Sequence, residues 1–339
     1  MEGIKSSSLF TKVSSVEDAD EWNDFILNHQ HCSAFHELDF LDLINSCAGT
    51  NAYAITERRL SDNRLLSAMI VTVQRERGLK GWLSRRAIVY GGPLWTNESN
   101  RSEFIHALDQ LIGGEVIYLE FRNFMDLHEV KSLFQTNGYE YLPYVNFILP
   151  IADMGMERLI QKMNYNRKRE IRLSLEQGAT VAITNDDSEI RAGYEILKEL
   201  YLKRVKLPLP GWDFFSELVR REIGRVFVVK HNKRVIGASF CIYNSNGIFT
   251  WYYCGLRDYH KKIFPTHLAI LGAMEFAVEK GLKWLDFMGA GLKGEEYGVR
   301  KYKQEFAGDL VEYGRYRKVF APVRYRIGVY AIRILQKLK

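Results

Sequence analysis

Residues 226–254 read VFVVKHNKRVIGASFCIYNSNGIFTWYYC, and this stretch decides the fold. Val226–Lys230 and Ile236–Tyr243 are rich in β-branched and aromatic residues, and Asn232-Lys233 between them is a turn signal. The two segments therefore predict a β-hairpin. Ile248–Cys254 has the same composition and follows directly, so the stretch predicts three consecutive strands.

A helix and a fourth strand complete this unit. Gly255 ends the third strand, and a helix is predicted over His267–Glu279 that stops at Gly281. A further strand follows at Trp284–Met288. A helix between two such strands is typical of a parallel crossover, in which the helix packs on the sheet.

The same order of elements occurs once before in the chain. It consists of a hairpin, a strand that ends in Gly-Gly, a helix and a further strand: Ala52–Glu57 with Leu65–Gln74, Ala87–Tyr90, Glu103–Leu111 and Val116–Phe121. The sequence therefore predicts two copies of one α/β unit with a mixed sheet. This order resembles that of the GNAT (acyl-CoA N-acyltransferase) fold, so we expect tandem GNAT-like domains.

The domain boundaries follow from the repeat. We expect a first GNAT-like domain at residues 1–152, a second and catalytic one at residues 153–320, and a C-terminal helix at residues 321–339. Three further elements lie next to these boundaries: single strands at Tyr141–Leu149 and Asp309–Tyr316, and one long helix over Met156–Gln177.

The composition is that of a globular chain. It has 339 residues, of which 47% are hydrophobic and 26% charged, which excludes disorder and coiled coil and favours two domains. No uncharged apolar run reaches the ~18 residues of a membrane span, and Met1–Val13 has no signal-peptide stretch, so we expect a cytoplasmic protein. The four cysteines form no C-x-x-C pair; buried thiols are expected, with a catalytic thiol as the alternative.

Positive charge is concentrated at the C-terminal end. The net charge is +6, and Tyr313–Lys339 holds eight basic residues and no acid, which leaves 6 − 8 = −2 elsewhere. A predicted helix over Val323–Leu338 separates apolar from basic residues: Val323, Ile327, Tyr330, Ile334 and Leu338 on one face, and Arg326, Arg333 and Lys337 on another. Such a helix can lie on the anionic inner face of a membrane. A helix docked on the body of the protein is the alternative.

The segment after the third strand lacks a common phosphate-binding loop. Free N–H groups at the start of a helix bind phosphate, and GNAT enzymes usually place a glycine-rich R/Q-x-x-G-x-G/A loop there for acetyl-CoA. The corresponding Gly255–His267 contains the cations Arg257, His260, Lys261 and Lys262 but no such loop. An ordinary acetyl-CoA acetyltransferase is therefore disfavoured.

Four stretches resemble the Fem family of peptidoglycan peptidyltransferases, the FemABX type with tandem GNAT-like domains. They are YGGP at Tyr90–Pro93, NRKREIR at Asn166–Arg172 followed by Gly178, KWLDFMG at Lys283–Gly289, and YGVRKYKQEFAG at Tyr297–Gly308. The last stretch is the most specific. The resemblance covers about residues 30–320.

This resemblance implies transfer of an aminoacyl group from aminoacyl-tRNA to a side-chain amine of a peptidoglycan precursor, without a metal or a cofactor. Lys303 would be the catalytic cation that stabilises the oxyanion of the tetrahedral intermediate. Tyr302 would stack on the terminal adenosine of the tRNA, and Arg204 would hold the phosphates of the precursor. A solvated lysine, a tyrosine of the core and a surface arginine are the respective alternatives.

Three more residues are candidates for substrate binding. Alternation along the third strand of the second domain places Trp251 and Tyr253 on one face and Tyr252 on the other, with core filling as the alternative. Asp286, at a strand end, either faces the cleft or caps the following turn. The predicted long helix carries five cations, for which there are two interpretations: they bind tRNA phosphates, or they form a solvated helix face. They are Lys162, Arg167, Lys168, Arg169 and Arg172.

Features of the Fem family that this chain lacks leave other functions open. No acid follows Pro93 closely, Asp39–Cys47 contains no lysine for a phosphate, and the helical arm of some members is missing. A sugar amine of a polysaccharide is therefore an alternative acceptor. An N-acyltransferase that uses acyl-CoA or acyl carrier protein is the alternative enzyme. A non-catalytic tandem GNAT module that binds tRNA or a membrane is the alternative outside the enzymes.

Overall fold

The computed structural model describes residues 7–75, 81–221, 223–295 and 298–337. Its elements fall into two compact units. The first unit comprises Met1–Pro143 together with Tyr313–Lys339, and the second comprises Tyr144–Glu312. Each unit is built on one mixed sheet, as the sequence predicts.

The sheet of the first unit has the strand order β1-β2-β3-β4-β6-β15-β7, and β5 pairs with β3. Among the described strands of this sheet, β4 and β6 form the one parallel pair. Its strands are β1 Ser8–Val13, β2 Thr50–Arg59, β3 Leu65–Gln74, β4 Arg86–Tyr90, β5 Leu94–Trp95, β6 Tyr118–Arg122, β7 Glu140–Leu142 and β15 Arg315–Val319. Its helices are α1 Ala19–Leu27, α2 Leu38–Asn45, α3 Gly81–Ser84, α4 Arg101–Ile112, α5 Lys131–Thr136 and α12 Pro322–Lys337.

The sheet of the second unit has the order β14-β8-β13-β12-β11-β10-β9. Within its described residues, β12 and β13 are the one pair of neighbouring strands that run parallel. Its strands are β8 Tyr144–Pro150, β9 Thr180–Ile183, β10 Gly224–His231, β11 Arg234–Tyr243, β12 Gly247–Gly255, β13 Trp284–Leu292 and β14 Asp309–Val311. Its helices are α6 Met156–Lys162, α7 Tyr165–Glu176, α8 Asp187–Leu200, α9 Trp212–Arg220, α10 Pro265–Glu279 and α11 Gly298–Gln304, and a π-helical turn spans Tyr201–Val205.

The predicted repeat is present in both sheets. The first unit joins β2, β3, β4, α4 and β6 in the same way as the second unit joins β10, β11, β12, α10 and β13. In each copy a hairpin and a third antiparallel strand precede the helix, and a parallel strand follows it. Helix α10 is apolar on nearly all sides and contributes residues such as Leu268 and Met274 to the core, because it crosses directly over the sheet.

The chain passes between the two sheets at points where single strands were predicted. Tyr141–Leu149 is divided by Pro143 into β7 and β8, which belong to different sheets. Asp309–Tyr316 is likewise divided, and Gly314 between β14 and β15 has a φ of 66°. Proline donates no backbone hydrogen bond, and a positive φ turns the chain out of a strand, so neither segment continues as one strand. The units therefore begin and end at other residues than the predicted boundaries at 152 and 320.

The predicted long helix is two helices. Met163 has an extended conformation between α6 and α7, and the side chain of Asn164 accepts the N–H of Asn166 at 2.9 Å as the cap of α7. An asparagine cap competes with helix continuation because its side chain replaces an intrahelical partner. Strand β1 and helix α1 had no counterpart in the sequence analysis.

Strand β15 is held in the first sheet by a buried carboxylate. Glu120 of β6 binds Arg122 at 2.9 Å, Arg315 at 3.0 Å and the Nε of Arg317 at 3.0 Å. Burial raises the pKa of Glu120, but the three guanidinium groups outweigh it and lower that pKa to about 2. Charges from both strands thus meet at one carboxylate.

We expect Glu120→Gln to lower the free energy of unfolding by about 3 kcal/mol, because it leaves three part-buried cations without their counter-charge. The folded-state pKa lies below the unfolded value, so this contribution is present above about pH 4.5 and is lost as the pH falls towards 2. Urea unfolding at pH 7 and pH 3 measures both effects. Glu17→Gln, at an exposed site, is the control; equal losses in the two variants would contradict the assignment.

Candidate active site

The two parallel strands of the second sheet separate part of the way along. Pairing of β12 with β13 runs from Gly247 opposite Trp284 to Phe249 opposite Asp286, and the register of the described strands continues no further. Beyond this point β13 stays with β8, up to Leu292 opposite Tyr144. The edge of β12 from Thr250 onward therefore faces an opening, which we call the fork.

The corresponding parallel strands of the first sheet stay together over their described length. Strands β4 and β6 pair along their whole length, from Arg86 opposite Tyr118 to Tyr90 opposite Arg122. Ligands of sheets with parallel strands bind where neighbouring strands diverge. The fork of the second unit is therefore the candidate active site.

A β-bulge lies on the other edge of β12. Phe240 pairs with Tyr252 and Ile242 pairs with Phe249, so Cys241 alone stands opposite both Thr250 and Trp251. A bulge interrupts side-chain alternation. Trp251 and Tyr252 accordingly stack with ring centroids 5.7 Å apart instead of facing opposite ways, and the predicted assignment of Trp251 and Tyr253 to one face is wrong.

The cysteines beside the fork do not act as nucleophiles. All four cysteines of the chain are buried, as the sequence analysis expected. Burial raises the pKa of Cys241 and of Cys254 to about 12, so both remain protonated thiols at neutral pH.

Asp286 is the last residue of β13 that pairs with β12, and it is fully buried. Its Oδ1 accepts the N–H of Met288 at 2.5 Å, and its Oδ2 accepts the side-chain amide of Asn146 at 3.2 Å. Burial raises the pKa of Asp286 to about 7, although these hydrogen bonds and Lys303 act in the opposite direction. Asp286 therefore lies at the fork, and it binds the N–H of Met288 within β13 instead of capping a turn, because the strand continues to Leu292.

Lys303 lies in the same place. Its side chain comes from α11, is 3% exposed, and donates from Nζ to the carbonyls of Met288 at 3.1 Å and Gly289 at 2.8 Å. Burial lowers the pKa of Lys303 to about 8, against the effect of the Asp286 carboxylate. A solvated lysine is thereby excluded. Because an ammonium has three N–H donors, the two carbonyls leave one for a further acceptor.

A β-bulge of β13 at Met288 connects the two charged residues. Met288 has a φ of 62°, a left-handed conformation that is uncommon for a side chain of this size. Its N–H meets Asp286 and its carbonyl meets Lys303. Arg300 fixes α11 against the same strand by donating from Nε to the carbonyl of Ala290 at 3.2 Å.

Tyr302 lies beside this pair and is partly buried. Its ring is nearly parallel to that of Tyr253, with centroids 6.2 Å apart, and the guanidinium of Arg167 lies 4.4 Å from its ring centre. Its hydroxyl is 3.2 Å from Nδ1 of His267. Tyr253 and Tyr302 thus adjoin the fork, and their binding of substrate remains a prediction.

Arg167 and His267 form a buried group behind Tyr302. Arg167 binds Glu305 at 2.6 Å and contacts His267, so this member of the basic run does not face solvent. Burial and Arg167 lower the pKa of His267 to about 3, which keeps the imidazole neutral. Nε2 of His267 lies 3.0 Å from a carboxylate oxygen of Glu170 and also contacts Arg167, and Nδ1 lies 3.2 Å from the Tyr302 hydroxyl.

The start of helix α10 presents few donors for a phosphate. Its first residue, Pro265, has no N–H, and the N–H groups of His267 and Leu268 bond to the carbonyl of Phe264. A Cβ on Gly255 would come within 2.6 Å of the Thr266 nitrogen, so the strand end covers that amide. The usual binding mode of a pyrophosphate at this helix is therefore obstructed.

The other predicted site residues lie elsewhere. Arg204 is exposed within the π-helical turn, and no described hydrogen bond or ion pair joins it to Asp286 or Lys303. The ring of Trp251 packs at right angles on Phe214, 5.2 Å between centroids. Sequence reasoning missed Asn146, His267 and Glu305; of these, only His267, beside a helix-initiating proline, carried a local signal.

The comparisons with known proteins agree with this geometry. Residues 161–304 match the family model described as Acetyltransferase (GNAT) domain. Together with the repeat of the topology, this defines the class: a tandem GNAT-type acyltransferase fold, as predicted. No curated protein matched the chain.

Among solved structures, FemX is similar over 94% of this chain and 99% of its own, with a TM-score of 0.68 and 12% identity. L-PGS from Bacillus licheniformis is similar over 93% of this chain and 96% of its own, with a TM-score of 0.56 and 14% identity. A tandem GNAT protein from the clavulanic acid biosynthesis pathway is similar over 92% of this chain and 98% of its own, with a TM-score of 0.56 and 11% identity. The resemblance to the Fem family is thus confirmed at the level of the fold.

We expect Asp286→Asn to lower the pKa of Lys303 further below about 8, because the substitution removes the carboxylate that favours the ammonium. Asparagine retains an acceptor for the Met288 N–H, so the conformation of β13 at Met288 should be preserved. NMR titration of 13C-labelled lysine, with the Lys303 signal assigned by its loss in Lys303→Arg, gives the value. Asp309→Asn, at an exposed site, should leave it unchanged; an unaltered pKa in Asp286→Asn would show that the two charges are not coupled.

Proposed function

We propose that the protein transfers an aminoacyl group from aminoacyl-tRNA to an amine of a cell-envelope precursor, in the second unit. The observation that supports this most is the buried ammonium of Lys303 at the fork, with one N–H donor left for a developing oxyanion. The similarity to FemX and the Fem-like motifs around Lys303 agree with the proposal.

The reaction is an aminolysis of an ester. The acceptor nitrogen attacks the carbonyl carbon of the donor, and the electron pair of the C=O bond moves to oxygen as an oxyanion. The Lys303 ammonium donates a hydrogen bond to that oxygen in a site that excludes water, where such a bond is strongest. The C–O bond to the ribose then breaks, and the proton lost by the nitrogen goes to the ribose oxygen. No metal or cofactor takes part in these steps.

Asp286 acts on this step through Lys303. A buried lysine whose pKa is about 8 is close to losing its charge at physiological pH. The Asp286 carboxylate opposes that loss. Asp286 is therefore a positioning residue that keeps Lys303 charged, and Asn146 in turn orients the carboxylate.

We propose aminoacyl-tRNA as the donor because the start of α10 has few free N–H groups for a pyrophosphate. GNAT enzymes hold the pyrophosphate of acetyl-CoA with free N–H groups at the start of this helix. Here few such donors are available, because Pro265 has no N–H, the Thr266 amide is covered, and the amides of His267 and Leu268 are hydrogen-bonded. A tRNA donor does not need that site. For the acceptor, a peptidoglycan precursor and a polysaccharide amine are both candidates. Structural similarity to the C-terminal domain of a putative lysylphosphatidylglycerol synthetase from Agrobacterium fabrum adds a lipid headgroup as a third.

The second candidate function is an N-acyltransferase that uses acyl-CoA or acyl carrier protein. The family model matched by residues 161–304 describes acetyltransferases, which favours this alternative. The third is a non-catalytic module that binds tRNA without turnover. Its support is the exposed cations of α7, including Arg169 and Arg172, beside the exposed ring of Tyr165.

We expect Lys303→Ala to lower kcat by about 100- to 1,000-fold with little change in KM, because the lysine acts on the transition state. Single-turnover transfer from labelled aminoacyl-tRNA to precursor amines measures the rate. Lys301→Ala, an exposed lysine on the same helix, is the matched control and should retain normal activity. Turnover of Lys303→Ala at the rate of the unaltered protein would refute the assignment.

The same assay gives a pH profile. Activity that depends on Lys303 should fall as the pH rises through about 8, where this lysine loses its charge. Lys303→Arg carries a permanent charge, so any activity that it retains should not show this fall.

The donor is identified by thermal stabilisation, which reports ligand binding to the folded protein. Aminoacyl-tRNA should raise the Tm, RNase treatment should abolish the shift, and uncharged tRNA, acetyl-CoA and longer acyl-CoAs should have smaller effects. Stabilisation by an acyl-CoA alone would replace the proposed donor with that of the second candidate. Stabilisation by charged and uncharged tRNA alike, without transfer to any amine, would favour the binding module.

A further inference from the structure

The C-terminal helix exposes an apolar face. Val323, Ile327, Tyr330 and Ile334 lie on one side of α12 at intervals of four, three and four residues, and their exposed fractions range from 38% to 71%. The predicted apolar face is therefore present and exposed, although the helix itself packs on the body of the protein, as the alternative expected. Leu338 and the side chains of Arg333 and Lys337 are outside the described part of the chain.

The opposite side of α12 packs on the first unit. A Cβ on Gly328 would approach the carbonyl of Leu83 within 3.1 Å, so the helix backbone lies directly against α3. The guanidinium of Arg324 is 5.9 Å from the ring centre of Trp82, which is itself 60% exposed. A large exposed indole thus lies beside α12, at the edge where this helix packs on α3.

The charges near this face have one sign. Three of the eight cations of Tyr313–Lys339 are engaged within the first unit: Arg315 and Arg317 with Glu120, and Lys318 with Asp109 at 2.6 Å. The other five lie between Pro322 and Lys339, where the sequence has no acid. The segment that carries the exposed apolar face therefore has five basic residues and no acidic residue in its sequence.

We propose that α12 and Trp82 form a docking surface for an anionic lipid bilayer. Apolar side chains that project from a basic helix enter the interface between headgroups and acyl chains, while the cations meet anionic headgroups. Tryptophan favours the same interface because its ring is apolar and its N–H finds polar partners there. The helix lies on the membrane and does not cross it; no helix in the described residues is long and apolar enough to do so.

Charge favours a membrane over the other occupants of such a face. A second copy of the chain would bring the same five cations into the same interface, where like charges repel. A nucleic acid would satisfy the cations and leave Val323, Ile327 and Ile334 in contact with phosphate and water. An anionic bilayer complements both the charge and the apolar surface. This inference does not depend on the proposed catalytic activity.

The test is binding of the full chain to vesicles. We expect cosedimentation with vesicles of phosphatidylcholine and phosphatidylglycerol at 7:3, weaker by at least tenfold with phosphatidylcholine alone, and weaker as salt rises. Ile327→Asp combined with Tyr330→Asp should reduce the partition coefficient at least tenfold. Leu60→Asp combined with Leu310→Asp changes the net charge equally at exposed positions elsewhere and should bind as the unaltered protein does.

Fluorescence locates the contact. Trp82→Phe should retain binding to a large extent but lose most of the blue shift that the vesicles induce in the unaltered protein. Thermal unfolding confirms that each variant is folded. Equal loss of binding in the two double variants, binding unaffected by Ile327→Asp with Tyr330→Asp, or a dimer in sedimentation velocity that only these two substitutions dissociate would each overturn the proposal.

Discussion

Two carbonyl oxygens hold the buried ammonium of Lys303 in this fold, and the Asp286 carboxylate favours its charge by electrostatic attraction. The β-bulge at Met288 positions these groups, since its N–H binds Asp286 while its carbonyl and that of Gly289 bind Lys303. A buried ammonium without such groups would lose its proton. The fork, the position of α11 and the chemistry we propose all depend on this bulge.

The two units use one topology for different purposes. Continuous pairing of β4 with β6 closes the first sheet where the fork opens in the second. The carboxylate at the centre of the first unit, Glu120, binds three arginines, and its pKa of about 2 fits a structural role. Asp286, with a pKa of about 7 and a lysine as partner, shows the opposite shift, which is more typical of functional sites.

Local signals in the sequence predict the hairpins, the crossover and their repetition, because apolar alternation and turn residues report on strands directly. The resemblance to the Fem family implies Lys303 as a candidate, and its position at the end of a predicted strand makes Asp286 one. Local signals do not predict that Asp286 is buried against Asn146, because these two residues are 140 residues apart in the chain. The bulge at Thr250 and Trp251 likewise depends on pairing with a neighbouring strand, and alternation along β12 alone gives the wrong face.

The position of β15 has a consequence for how the chain acquires its structure during synthesis. Strand β15 lies between β6 and β7, so the interior of the first sheet is incomplete until Arg315–Val319 has left the ribosome. The second unit is one continuous segment, Tyr144–Glu312, and is available in full before that moment. The part of the protein that is translated first is therefore the part that finishes folding last.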